Sequence, residues 1–222
     1  MALKVGVILS GCGHRDGTEI REAVLTLLAL DRAGAEAVCF APDIPQNRVV
    51  DHYRGKVVPG ETRNVLVEAA RIARGKIADL KTAKAGDLDA VILPGGYGAA
   101  LNLSSFAEQG AEATVLPEVS ALLKAMHAAK KPIGAICIAP AVVAKALGHL
   151  HPRLTIGDDP GTAAAVTACG AVHETCPVEK FVVDRVNRVV TTPAYMYDAS
   201  LRGVAEGIER CVAEVLALAA GR

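Results

Sequence analysis

The stretch Ile133–Pro140, with the sequence IGAICIAP, decides the fold because it joins a short apolar run directly to a cysteine and the start of a helix. Ile133–Ile136 is typical of a buried strand, and Pro140–Leu147 has the pattern of a helix that begins on proline. Cys137 therefore lies on a tight strand-to-helix turn, where the amides and dipole of the following helix favour a thiolate. The alternative is a buried structural cysteine, since free cysteine is commonly buried.

Short apolar strands alternate with helices along the rest of the chain, which predicts an α/β fold with a mainly parallel sheet covered on both faces. The predicted strands are Lys4–Leu9, Glu36–Phe40, Ala90–Leu93 and Ile133–Ile136, with a short strand near Leu154–Ile156 and a hairpin of Phe181–Asp184 and Val189–Thr192. The predicted helices are Glu19–Arg32 (capped by Asp16 or Thr18), Asn64–Ala73, Pro117–Ala129, Pro140–Leu147 and Asp198–Ala220. We expect one domain over residues 1–222, with an excursion around residues 42–84.

The composition argues against several classes of function. Lys+Arg and Asp+Glu are both 24, and no basic stripe of the kind that binds nucleic acid is present. The apolar run at the start of the chain is shorter than that of a secretory signal, and no run is long enough for a membrane span. The six cysteines are therefore expected to be reduced thiols in the cytoplasm, and without a CxxC pair they lack clustered zinc-ligand spacing.

Two further segments are expected beside Cys137, because the carboxyl ends of parallel strands meet at one edge of a sheet. These segments are Ser10–Glu22 and Pro94–Gly98. Gly95 and Gly96 suit backbone amides that turn into a pocket and hold an oxyanion, and the alternative is a plain turn.

Two glutamates of the first helix are candidate proton-transfer groups. Glu19 and Glu22 stand three residues apart on one helix face, so one of them is a candidate general base, and the alternative is a pair of solvated first-turn carboxylates. Cys12 and His14 lie in the same segment and are weaker candidates for the pocket wall. His149 and His151 are interpreted as surface histidines by default.

Several separated motifs together resemble the ThiJ/PfpI superfamily, whose fold is that of class I glutamine amidotransferases. The motifs are KVGVILSGCG (4–13), DGTEIREAV (16–24), DAVILPGGYGAALNLS (89–104), KPIGAICIAP (131–140) and VVTTPAY (189–195). The chain looks most like the ElbB-type proteins of that superfamily, including the excursion around residues 42–84. The resemblance implies a flavodoxin-like three-layer sandwich with a nucleophile elbow and, since relatives are often homodimers, a homodimer.

The resemblance also implies the chemistry. Cys137 would be the nucleophile, Glu22 its acidic partner with Glu19 as the alternative, and the amides of Gly95 and Gly96 the oxyanion donors. ElbB-like proteins are described as glyoxalases that convert small dicarbonyls to hydroxy acids without glutathione. In the hypothesis drawn from this, the oxyanion rests on the Gly96 amide and an amide near Ile138, and no metal or organic cofactor is needed.

The chain departs from the family pattern in its histidines. Protease-like members and strong glyoxalases carry histidine directly after the cysteine, where this chain has Ile138, and Gly157 stands near the place of a downstream histidine in other relatives. These departures argue against proteolysis and glutamine hydrolysis. The alternative function is a cysteine redox sensor or regulatory protein, for which the family also suggests an association with isoprenoid metabolism.

Overall fold

The computed structural model describes residues 2–221, in which short apolar strands form a sheet between two layers of helices. The strands are β1 Lys4–Ile8, β2 Glu36–Ala41, β3 Val50–Asp51, β4 Lys56–Val57, β5 Ile77–Asp79, β6 Ala90–Leu93, β7 Ile133–Ile136, β8 Arg153–Leu154, β9 Val172–His173, β10 Val182–Asp184 and β11 Val189–Thr192. The helices are α1 Ile20–Arg32, α2 Val65–Ile72, α3 Tyr97–Leu101, α4 Phe106–Gln109, α5 Pro117–Ala128, α6 Pro140–Leu147, α7 Pro160–Ala168 and α8 Leu201–Ala219.

The main sheet has the strand order β10-β11-β7-β6-β1-β2-β5. Its strands are parallel except for β10, which pairs antiparallel with β11 as the hairpin predicted from the sequence. From β1 the chain builds β2 and β5 on one side, then returns to place β6, β7 and β11 on the other side. Such a switch point leaves a crevice at the carboxyl ends of the central strands, which is where ligands bind in open α/β sheets.

Helices cover both faces of the sheet, which explains why β6 and β7 are buried along their whole length and show no polar alternation. Helices α1, α2 and α8 pack on one face, and α5 and α6 on the other. A third apolar cluster lies beneath α3, α4, α6 and α7. The three-layer α/β architecture expected from the sequence is therefore confirmed.

Some elements differ from the sequence prediction. Strand β5 lies inside the expected excursion around residues 42–84, yet it pairs with β2 as an edge strand of the main sheet. The strand predicted near Leu154–Ile156 is β8, which pairs with β9 in a separate small sheet. Glu19, rather than Asp16 or Thr18, caps α1 by accepting the Glu22 amide proton. Asp16 instead accepts from the amide of Val50, and Thr18 from that of Ser10.

Within the described range, none of the helices combines the length and apolar character required to cross a membrane.

Candidate active site

Cys137 stands at the sharp turn between β7 and α6. Its φ is +62°, a left-handed conformation that is uncommon for a residue with a side chain, and Pro140 begins the helix three residues later. The Cys137 amide donates to the carbonyl oxygen of Thr192 at 2.9 Å, which ties the turn to the end of β11. This geometry is that of a nucleophile elbow, which holds the thiol at the edge of the sheet.

Glu22 lies directly behind this thiol and is fully buried. Its Oε2 accepts from the Gly95 amide at 2.8 Å, and its Oε1 accepts from the Tyr195 amide at 3.3 Å. The carboxyl group also lies beside the Cys137 thiol. The two amides satisfy a polar group that would otherwise be costly to bury.

The two predicted glycines have different roles in the geometry. A Cβ on Gly95 would lie 2.5 Å from the Cβ of Cys137 and 2.7 Å from Glu22 Oε2, so only glycine allows this close approach. The Gly95 amide is engaged by Glu22, which contradicts its prediction as an oxyanion donor. Gly96, at φ +93°, instead turns its amide toward the Cys137 sulfur, and the Ile138 amide does the same.

Burial controls the protonation of this pair. It raises the pKa of Glu22 to about 8, with a further contribution from the negative charge of Glu19. Burial also raises the pKa of the Cys137 thiol, followed by the charge of Glu22, while the amides of Gly96 and Ile138 act in the opposite direction. At neutral pH both groups are therefore mostly protonated, and once the carboxyl group has lost its proton it can take up the proton of the thiol.

A pocket of about 880 Å³ opens above the sulfur at the carboxyl ends of the central strands. It is lined by His14, Glu19, Ile20, Arg21, Gly96, Tyr97, Ala100, Phe106, Ala107, Cys137, Ile138, Thr162, Tyr195 and Met196. Of the residues predicted from the sequence, the structure thus brings Glu19, Gly96, Cys137 and Ile138 to the pocket wall. Glu22 and Gly95 lie behind the thiol.

Cys12 does not join the pocket, contrary to its prediction as a wall residue. It is absent from the residues that line the pocket, and the pKa of its thiol is raised by burial and then by the charge of Glu68, a residue of α2. His14, from the same loop, does line the pocket. Burial, then the neighbouring His52 and Arg15, lowers its pKa, so its imidazole is neutral at pH 7. His151 does not line the pocket, and its Nδ1 lies 2.9 Å from the Gly170 carbonyl oxygen.

Sequence reasoning missed much of the pocket wall. Tyr195 closes one side, and its hydroxyl accepts from Arg21 at 3.3 Å while the guanidinium carbon lies 5.9 Å from the ring centroid. The motif VVTTPAY ends on this tyrosine, so the sequence could have indicated Tyr195 as a residue of the site. Phe106 and Thr162 had no such signal, because α4 and α7 approach the site only through the fold.

The chain is similar to several known proteins along most of its length. The model of the DJ-1/PfpI family matches residues 12–191. Glutamine amidotransferase-like class 1 domain-containing protein 3, mitochondrial, of Homo sapiens is 48% identical over 226 residues, which cover 98% of this chain and 84% of that protein. The mitochondrial ES1 protein of Danio rerio is 34% identical and covers 97% of this chain and 86% of its own length.

Two solved structures extend the comparison. An isoprenoid biosynthesis protein with an amidotransferase-like domain from Ehrlichia chaffeensis is 44% identical, with a TM-score of 0.92 over 98% of this chain and 99% of that one. DJ-1beta of Drosophila melanogaster has a TM-score of 0.54 at 21% identity, with 100% of this chain and 97% of that one covered, which shows the shared fold alone.

Proposed function

Because this chain belongs to the DJ-1/PfpI family, we propose that its site is that of an ElbB-type, glutathione-independent glyoxalase acting on small 2-oxoaldehydes. The observation that carries the proposal is the buried Glu22 carboxyl, which lies beside the Cys137 thiol and whose pKa is raised by burial to about 8. Such a group exchanges protons near neutral pH, directly beside a nucleophile. A cysteine and a proton carrier are the two components that this isomerisation requires.

In the proposed reaction, the Glu22 carboxylate accepts the proton of the Cys137 thiol, and the resulting thiolate attacks one aldehyde carbon of glyoxal. A C–S bond forms, and the carbonyl π electrons become an alkoxide. The amides of Gly96 and Ile138 face the sulfur in the free site. When the negative charge passes from sulfur to the new oxygen, these amides are free to stabilise that oxygen. The Glu22 carboxyl then protonates the alkoxide and completes a thiohemiacetal.

The second half of the reaction is an internal redox step. The carbon bound to sulfur gives up its hydrogen as a proton to the Glu22 carboxylate, and the two carbons become an enediolate. Return of the proton to the neighbouring carbon leaves a thioester, since the first carbon is now oxidised and the second reduced. Water cleaves the thioester to glycolate and the free thiol, so no external oxidant or cofactor enters the balance.

The test is glycolate formation without glutathione. Wild-type protein, Cys137→Ala and the control Cys12→Ala are incubated with glyoxal, and glycolate is measured by NMR. We expect glycolate from wild type and from Cys12→Ala, because Cys12 lies outside the pocket, and none above background from Cys137→Ala. Equal turnover by Cys137→Ala, or no turnover by wild type, would refute the proposal.

A second candidate, a cysteine redox sensor or regulatory protein, is favoured by one specific observation. The pocket lining includes none of the other five cysteines among the described residues, so oxidised Cys137 has no disulfide partner there. Oxidation would then proceed to sulfenic or sulfinic acid, stabilised by Glu22 and the two amides. Mass spectrometry after mild peroxide treatment tests this, since selective oxidation of Cys137 is expected and uniform oxidation of all cysteines would argue against it.

The cellular context of the protein is also a proposal. We propose a homodimer in the cytoplasm that acts on a small dicarbonyl and binds neither nucleic acid nor a membrane. The human and zebrafish relatives are named as mitochondrial proteins, and the Ehrlichia protein is named for isoprenoid biosynthesis. An isoprenoid-linked regulatory role therefore belongs with the second candidate function.

A further inference from the structure

The pocket above Cys137 is much larger than glyoxal requires. Its volume of about 880 Å³ falls in the range of roughly 300–1,000 Å³ in which proteins enclose drug-sized ligands. Glyoxal has only four non-hydrogen atoms, so most of the pocket would hold water while glyoxal reacts. A pocket of this size indicates that the reacting carbonyl carries a further group.

The wall of the pocket is predominantly apolar, and its histidine and its charged side chains come from one segment. His14, Glu19 and Arg21 all belong to the loop before α1 and its first turn, whereas α3 and α4 contribute Ala100, Phe106 and Ala107. The apolar wall is made of Ile20, Ala100, Phe106, Ala107, Ile138 and Met196. Elsewhere in the pocket, the rings of Tyr97 and Tyr195 add aromatic surface.

Two of these side chains are unusually exposed for their type. Ile20 is 45% exposed and Tyr97 is 52% exposed, and both line the pocket. Ile138 extends the apolar wall to the residue next to the nucleophile. Removing such surface from water stabilises a complex by about 25 cal/mol for each Å² buried, so a ligand with an apolar body gains affinity here that glyoxal lacks.

We propose that the site prefers 2-oxoaldehydes that carry an aromatic or branched apolar substituent, with the aldehyde at Cys137 and the substituent against the wall formed by α3, α4 and Ile138. The inference rests on the proposed function for its reacting group. The preference itself rests on the volume and composition of the pocket.

The kinetic test compares phenylglyoxal with glyoxal. Ala107 is exposed and lines the pocket, so Ala107→Trp should fill the apolar end without disturbing the core. The matched control is Ala125→Trp, an exposed alanine of α5 that lies outside the pocket. The quantity measured is kcat/KM for phenylglyoxal divided by kcat/KM for glyoxal, since comparing this ratio between variants cancels the intrinsic reactivity of the two aldehydes.

We expect Ala107→Trp to lower this ratio about tenfold or more, in line with the effect of small apolar groups on specificity. Ala125→Trp should leave the ratio unchanged. If Ala107→Trp had the same ratio as wild type, the inference would be overturned, and the glyoxalase proposal would stay intact.

A second measurement separates the two proposals if no aldehyde is turned over. Iodoacetanilide and iodoacetamide alkylate a thiol by the same reaction and differ by a phenyl ring, and mass spectrometry gives the rate of alkylation at Cys137 for each. A ratio of rates that favours iodoacetanilide in wild type and falls about tenfold in Ala107→Trp supports the apolar wall even if glyoxalase activity is absent. Equal ratios in the two proteins would refute it.

Discussion

Cys137 and Glu22 meet in a site that excludes most water, since Cys137 is 7% exposed and Glu22 is fully buried. Burial disfavours a charge on either group, and the charge of Glu22 further disfavours one on Cys137, so the pair is mostly protonated at neutral pH and carries a single negative charge once it loses a proton. The amides of Gly96 and Ile138 favour that charge on sulfur, and those of Gly95 and Tyr195 favour it on Glu22. The pair therefore moves one proton over a short distance, which suits thiohemiacetal chemistry.

The Glu22→Gln variant tests the buried proton through stability. In the folded protein the pKa of Glu22 is about 8, against an ordinary value of 4.5, so between these values the folded state holds a proton that the unfolded chain releases. The free energy of unfolding of wild type should therefore be highest below this window and fall by a few kcal/mol as pH rises through it. Glutamine has no proton to lose and should abolish this contribution.

Urea unfolding from about pH 5 to about pH 9 measures the difference between wild type and variant, which should shrink or reverse with rising pH. Glu36→Gln, at an exposed position, is the control and should leave the pH dependence unchanged. If the free energies of unfolding of wild type and Glu22→Gln changed with pH in parallel, Glu22 would not be the group that holds the additional proton in the folded protein.

At the scale of elements, the helices and strands with a strong apolar pattern were predicted from the sequence, and those without such a pattern were missed. Ala90–Leu93, Ile133–Ile136 and Pro140–Leu147 have in the structure the bounds that the sequence predicted. Helix α7 was missed because its alanines lie on all sides and give no apolar stripe. Strand β5 was missed because three residues are too few for a period, and only its pairing with β2 defines it.

The same distinction holds for the site. Cys137 and Glu22 could be predicted because a motif surrounds each, and the Gly95 amide could not be assigned because its direction depends on where Glu22 ends. The wall residue Phe106 comes from a four-residue helix whose position depends on the third apolar cluster. Contacts of this kind are set by tertiary packing and leave no local pattern.

Glu19 caps helix α1, and its negative charge also raises the pKa of Glu22. The variant Glu19→Gln separates these two roles. A glutamine oxygen still accepts the Glu22 amide proton, so the cap is kept, but the negative charge that raises the pKa of Glu22 is removed. We expect the acidic midpoint in the pH profile of kcat/KM for glyoxal to move to lower pH, because Glu22 then ionises more easily.

Glu19→Ala is the companion variant, since it removes both charge and cap. It should show the same shift in midpoint and in addition lose about 1 kcal/mol of stability. An unchanged midpoint in both variants would mean that the charge of Glu19 does not act on Glu22.

On the scale of the whole molecule, the elbow depends on helix packing across the sheet. The Cys137 amide is held by the Thr192 carbonyl at the end of β11, and α8 packs against this strand from the face that also carries α1. The approach is closest at Gly207 of α8, where a Cβ would lie 2.1 Å from the Val178 carbonyl oxygen and 2.9 Å from Thr192 Oγ1. Any side chain there must push α8 away from the backbone of Val178 and from Thr192 of β11, which displaces the support of the elbow.

Gly207→Ala is therefore expected to destabilise the protein by about 1–3 kcal/mol, as overpacking does, even though alanine favours helix by roughly 0.5–1 kcal/mol over glycine. Gly203→Ala, one turn earlier in α8, is the control, because its nearest neighbours are side-chain atoms of Glu179 and Val178 at 3.3 Å and 3.4 Å that can move aside. It should be neutral or slightly stabilising.

Urea unfolding gives the stabilities of both variants, and the rate of alkylation of Cys137 should change only for Gly207→Ala. Equal stabilities and equal alkylation rates for the two variants would show that the packing of α8 does not support the elbow, whereas a change in both quantities for Gly207→Ala alone would connect the packing of α8 to the reactive thiol.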